Sequence, residues 1–98
     1  MPLTSTQRKF LRSRAHGLEP VIRVGRDGVS ATLLAELDLA LEAHELIKVK
    51  FHDHKEEKES LTERIAQASG GELAGMIGHV AIFYRPRRDP DKRTLRLP

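Results

Sequence analysis

Residues 20–34, PVIRVGRDGVSATLL, decide how this chain is read. Pro20 stops any helix before it, and Val21-Ile22-Arg23-Val24 is a short β-branched run that reads as a strand. Gly25-Arg26-Asp27-Gly28 follows as a tight loop. Two glycines permit backbone conformations closed to other residues and let a ligand approach the main chain. Ser30 is a good N-cap, so the loop runs into a helix whose first N–H groups and partial positive charge face the same place. Arg26 adds a mobile cation at the tip. Strand, glycine loop, helix start and cation together suit a phosphate.

Working outward, Leu33, Leu34, Leu37, Ala40, Leu41 and His44 fall on one face of a helix ending about Glu42–His44, with Glu36, Asp38, Glu42 and Glu45 outside that arc. Leu46 to Phe51 alternates: Ile47, Val49 and Phe51 face one way, Leu46, Lys48 and Lys50 the other. Strand, helix and strand in so short a span predict a right-handed parallel crossover. Asp53 and Glu56 are candidate caps for a further helix reaching about Ser69, with a narrow stripe of Leu61, Ile65 and Ala68. The charged run Lys55 to Glu59 reads as its solvated first turn, and Gly70-Gly71 stops it. Leu73 to Ile77 and Val80 to Arg85 read as two strands joined by a tight turn at Gly78-His79. Upstream, Thr4 and Gln7 form a capping-box pattern for a helix to about Ala15 or His16. Phe10, Leu11, Ala15 and Leu18 share one side of it, and Arg8, Lys9 and Arg12 fall together on the other. The expected fold is α/β: an N-terminal helix, then β-α-β-α-β-β, a mixed four-stranded sheet packed with helices. Residues 1–86 form the domain. Residues 87–98 read as a charged, proline-broken tail, expected to be mobile when nothing is bound.

Length and composition bound the function. Ninety-eight residues make one small domain, and the absence of cysteine excludes a disulfide framework or a thiolate metal site. No apolar run reaches membrane length and the N-terminus lacks a signal-peptide core, so a cytoplasmic monomer with no membrane partner is expected. Net charge is +3, unevenly spread. Residues 1–30 carry six basic against two acidic side chains (+4), residues 31–76 five against ten (−5), and residues 77–98 six against two (+4). If the basic ends met, Arg8, Lys9, Arg12, Arg23 and Arg26 would join Arg85, Arg87 and Arg88 in one electropositive surface suited to a polyanion.

Enzyme signatures are missing. The loop has neither the Lys-Ser/Thr of a nucleotide-triphosphate loop nor the third glycine of a dinucleotide fold, and there is no nucleophile-elbow serine. His52 and His54 supply only two potential metal ligands at a strand end, so neither a metal nor a cofactor is expected. His44 is placed on its helix's buried face, while His16 and His79 lie in loops. The aromatic set is Phe10, Phe51, Phe83 and Tyr84, with the phenylalanines expected in the core. A base-stacking platform is therefore absent, and a bound nucleic acid would be held mainly through its backbone, with modest sequence preference and strong salt dependence.

The basic first helix after Leu3-Thr4, then PVIRVGRDGVS, ELIKVKF and the terminal IGHVAIFYRP together resemble the YhbY family, stand-alone bacterial versions of the CRM (chloroplast RNA splicing and ribosome maturation) domain. The likeness spans roughly Leu3 to Pro86. It implies an α/β fold similar to the C-terminal domain of a translation initiation factor, RNA binding, and rRNA within precursor large ribosomal (pre-50S) particles as the partner. It also implies that the G-x-x-G loop contacts RNA, a role falling on Gly25, Arg26, Asp27 and Gly28, with Ser30 at the helix start behind them. Asp27 departs from an all-basic loop: it can form a turn or pair with Arg26. The alternative from another class is a protein-interaction module using the acidic middle, Glu36, Asp38 and Glu42, with RNA contact incidental.

Overall fold

The structure is a computed structural model that describes residues 2–98. It contains helix α1 (Ser5–Ala15), strand β1 (Ile22–Val24), helix α2 (Ala31–His44), strand β2 (Leu46–Phe51), a 3-10 turn (Lys55–Glu57), helix α3 (Lys58–Ser69), and strands β3 (Glu72–Ile77) and β4 (Val80–Tyr84). A second 3-10 turn, Pro90–Lys92, lies in the tail. The sheet order is β1-β2-β4-β3. β1 pairs with β2 in parallel, with Arg23 opposite Lys50, while β4 runs antiparallel to both β2 and β3. The expected mixed sheet and parallel crossover are both present.

Strand alternation splits the core in two. Ile47, Val49 and Phe51 of β2, with Ala81 and Phe83 of β4, face α2 and α3 and pack on Leu33, Leu37, Leu41 and Ile65. Leu46, Ile82 and Tyr84 point the other way, onto Leu11 and Ala15 of α1. α1 therefore covers the opposite face from α2 and α3. It begins at the expected capping box, where Thr4 Oγ1 accepts from the Gln7 amide (3.1 Å) and Gln7 Oε1 accepts from the Thr4 amide (3.0 Å).

Two expectations are corrected. His44 is exposed and its neighbour Glu45 is buried, because α2 ends at His44 and Glu45 turns to a positive φ of 64°, aiming its side chain inward. Phe10 is half-buried, with the Arg14 guanidinium 5.6 Å from its ring centre. The tail lies against the domain. Leu95 and Leu97 pack on the α1-side core, Glu45 holds the backbone at Arg87, Thr94 and Leu95, and Gln7 Nε2 donates to the Pro98 carbonyl. A buried carboxylate that collects tail amides is invisible to a composition argument.

Candidate nucleic-acid interface

Residues 25–28 form a turn closed by the Gly28 amide donating to the Gly25 carbonyl (3.0 Å), with Arg26 and Asp27 exposed at its corners. The two glycines serve differently. Gly28 has φ +65°, a conformation that L side chains rarely adopt, whereas Gly25 has ordinary backbone and open space where a Cβ would project. Val29 is buried in the core beneath the turn, which fixes it to the body. Ser30 Oγ accepts from the Leu33 amide (3.1 Å) as the expected N-cap, and the earlier amides of the first turn point out of the helix end. A shallow hollow of about 390 Å³ lies over this corner, bordered by Arg23, Arg26, Ser30, Thr32 and Glu36. Two acids, Asp27 and Glu36, thus share the corner with two guanidiniums. An anion there would be met by backbone dipoles and mobile arginines together.

The same end of the sheet gathers groups that local sequence does not place beside the loop. Lys50 is exposed beside Arg23 across the parallel pair. The alternation in LIKVKF already placed Lys50 on the wet face, but its partner depends on register. The His52 and Asp53 amides donate to the Val24 carbonyl (3.0 and 3.1 Å), bringing the β2–α3 connection against the glycine turn, where His54 Nε2 lies 2.8 Å from the Arg26 carbonyl oxygen. That bond, with the nearby Asp53 and Glu57 charges, holds the His54 pKa above its ordinary value. Lys58 Nζ donates to the Gly78 carbonyl (2.7 Å) at the β3–β4 turn. Desolvation, followed by the Lys58 and Lys55 charges, holds His79 below its ordinary value.

The two basic ends do not meet on one surface. On α1, Lys9 is exposed, Arg8 donates to the Leu3 carbonyl (2.7 Å), and Arg12 donates to the Ala74 carbonyl (3.1 Å) while lying over Gly75 of β3. β3 and β1 are opposite edges of the sheet, so Arg12 stands three strand spacings, about 14 Å, from the strand that carries the glycine turn. The C-terminal arginines sit elsewhere again. Arg85 is buried, bonded to Asp38 Oδ1 (2.7 Å) and the Ser69 carbonyl (2.8 Å). Arg88 pairs with the same Asp38 oxygen (2.8 Å) and with Glu42 (3.7 Å). Arg87 donates to the Glu42, Ala43 and Lys92 carbonyls. Asp38 and Glu42 lie eight and twelve residues past Ser30, roughly 12–18 Å along α2 from the glycine turn. A count of charges along the chain treats these arginines as free. They neutralise α2 instead, and the Arg85 hydrogen bond holds the Asp38 carboxyl below its ordinary pKa. The same pairings consume Asp38 and Glu42 from the acidic middle, leaving Glu36 outside that network.

Among the described residues, no group of three or more His, Asp or Glu side chains is arranged to hold a metal ion, and no helix is long and apolar enough to cross a membrane.

Comparison with known proteins places this geometry in a family. The CRS1/YhbY (CRM) domain matches residues 3–85. The chain belongs to that family. It is 35% identical over 97 residues to the Bacillus subtilis "Probable RNA-binding protein YqeI", covering 98% of this chain and 99% of that protein. It is 38% identical over 93 residues to the Pseudomonas aeruginosa "Probable RNA-binding protein PA4753", covering 94% and 89%. A solution structure of a Staphylococcus aureus protein, described as a candidate RNA-binding protein, superposes with a TM-score of 0.80 at 32% identity and covers 98% of this chain and 99% of that one.

Proposed function

We propose that this chain is a non-catalytic RNA-binding protein that associates with rRNA in precursors of the large ribosomal subunit. The observation carrying the reading is the exposed Gly25–Gly28 turn at the start of α2, with open space at Gly25 and a free guanidinium at its tip, in a chain whose relatives are named RNA-binding proteins. A phosphate settles against the first-turn amides of α2. Arg26, Arg23 and Lys50 surround it, and Lys9 and Arg12 meet the same strand farther along, over the β3 edge. Arg85, Arg87 and Arg88 are left out of this contact set because two or more carboxylates or carbonyls hold each of them, whereas Arg12 donates to a single carbonyl. The RNA leaves when maturation changes the folded junction that presents its backbone. Asp27 lowers the affinity of the corner and keeps Arg26 from binding polyanions indiscriminately.

Two measurements test this. Sedimentation of cell extracts should place the protein with precursor large subunits. Its recovery with mature ribosomes alone, or with no particle, contradicts the assembly role. Binding of purified protein to a structured rRNA fragment at several salt concentrations should weaken linearly in log–log form, and Arg26→Ala should reduce the slope by about one unit. A slope unchanged by removal of Arg26 and Arg23 together contradicts the proposed contact.

A further inference from the structure

The glycine turn is held from outside itself. His54 has a left-handed backbone (φ 54°), an uncommon state for a histidine that the surrounding structure must maintain. Asp53 Oδ1 accepts from the His54 amide (2.8 Å), and the His54 carbonyl accepts from the Glu57 amide (3.1 Å). This conformation delivers the imidazole to the turn. Nε2 lies 2.8 Å from the Arg26 carbonyl oxygen, and a Cβ at Gly28 would sit 3.6 Å from both Cδ2 and Nε2 of the same ring. A carbonyl can only accept, so Nε2 carries the proton in this contact. The ring thus touches the turn at its two decisive points: the carbonyl of the residue at its tip and the glycine with positive φ.

We propose that His54 is a positioning residue for phosphate binding. By holding the Arg26 carbonyl on the β2–α3 side, it keeps the turn's opposite side and the Arg26 side chain facing outward. This inference rests on the reading of the turn as an RNA contact, but His54 itself touches no phosphate. Its Nε2 is committed to the Arg26 carbonyl, which also removes it from any metal-ligand role with His52.

The test compares the wild type with His54→Ala and His54→Gln; glutamine keeps an N–H donor at the reach of Nε2. Hydrogen exchange of the Gly28 amide is measured without RNA, and affinity and salt slope with a structured RNA fragment. Loss of one hydrogen bond corresponds to about a three- to tenfold effect. His54→Ala should speed Gly28 exchange and weaken RNA binding by that factor with an unchanged salt slope, and His54→Gln should return both towards wild type. Unchanged Gly28 exchange in His54→Ala overturns the proposal. So does a salt slope that falls by about one unit, which would make His54 a direct phosphate contact. So does a failure of glutamine to restore what alanine loses. If the wild type binds no RNA, the RNA reading fails, and the exchange measurement still decides whether His54 holds the turn.

Discussion

Replacing Glu45 with glutamine probes the arrangement that keeps the C-terminal basic residues on the far part of α2. Glu45 is fully buried, yet its carboxyl pKa is lowered from 4.5 to about 2. Burial alone would raise it; hydrogen bonds from the tail reverse the sign. Oε1 accepts from the Thr94 amide (2.8 Å), the Thr94 hydroxyl (2.8 Å) and the Leu95 amide (3.2 Å), and Oε2 from the Arg87 amide (3.0 Å). Every donor belongs to the tail. Lowering a carboxyl from 4.5 to about 2 corresponds to about 3 kcal/mol of folded-state stabilisation at neutral pH. Glutamine keeps the shape, removes the charge and turns one acceptor into a donor that confronts another N–H. A loss of about 3 kcal/mol in a domain of this size lowers Tm by roughly 10–20 °C. Because the folded carboxyl is depressed, its contribution is complete above pH 4.5 and disappears as pH falls towards about 2. Thermal melts of wild type and Glu45→Gln between neutral and strongly acid pH should therefore converge as the pH drops. A Tm difference of only a degree or two at pH 7, or one that does not shrink in acid, refutes this account of the tail.

Other consequences follow from the same geometry. Gly28→Ala should cost about 1–2 kcal/mol of stability, because φ +65° disfavours a side chain, while Gly25→Ala should leave stability unchanged and weaken RNA binding by filling the open space above the turn; denaturant unfolding and RNA titration separate the two. Arg85→Ala should destabilise by about 1–3 kcal/mol, because the Ser69 carbonyl loses its donor while Asp38, partly exposed, keeps Arg88, and it should leave the salt slope of the remaining folded protein unaltered. Titration followed by imidazole NMR should place the His54 midpoint above the ordinary value of 6.5 and that of His79 below it. Since the His54 pKa is raised, its contribution to holding the turn is complete below pH 6.5 and declines as pH rises through the higher folded value, and a His54 midpoint below that of His79 would contradict the bond to Arg26.

Periodicity carried most of the fold. The alternation in LIKVKF puts Ile47, Val49 and Phe51 on one face and Leu46 on the other, but that the second face also carries a core, beneath α1, follows from packing that periodicity does not show. The Thr4–Gln7 and Ser30 caps were local signals, readable because a cap is made within three residues. The site was legible only where it is local. Gly25 to Ser30 is continuous in sequence, so its turn and helix start could be read directly. Partners distant along the chain could not. Asp38 binds an arginine 47 positions away, and His54 meets a carbonyl 28 positions away. Counting charge by segment treats every arginine as free. Arg85 and Arg88 are bound because β4 ends beside α2, a consequence of sheet order rather than of composition. Glu45 was misplaced for a related reason: one residue of positive φ at the helix end rotated it from the surface to the interior.

The most direct measurement is an amide NMR titration of the isotopically labelled protein with a structured rRNA fragment. The account predicts the largest shifts at Arg23 to Thr32 and His52 to His54, with smaller ones at Lys50, Lys9 and Arg12. Shifts concentrated instead at Asp38 to Glu45 and Arg85 to Arg88, with a silent glycine turn, would contradict it.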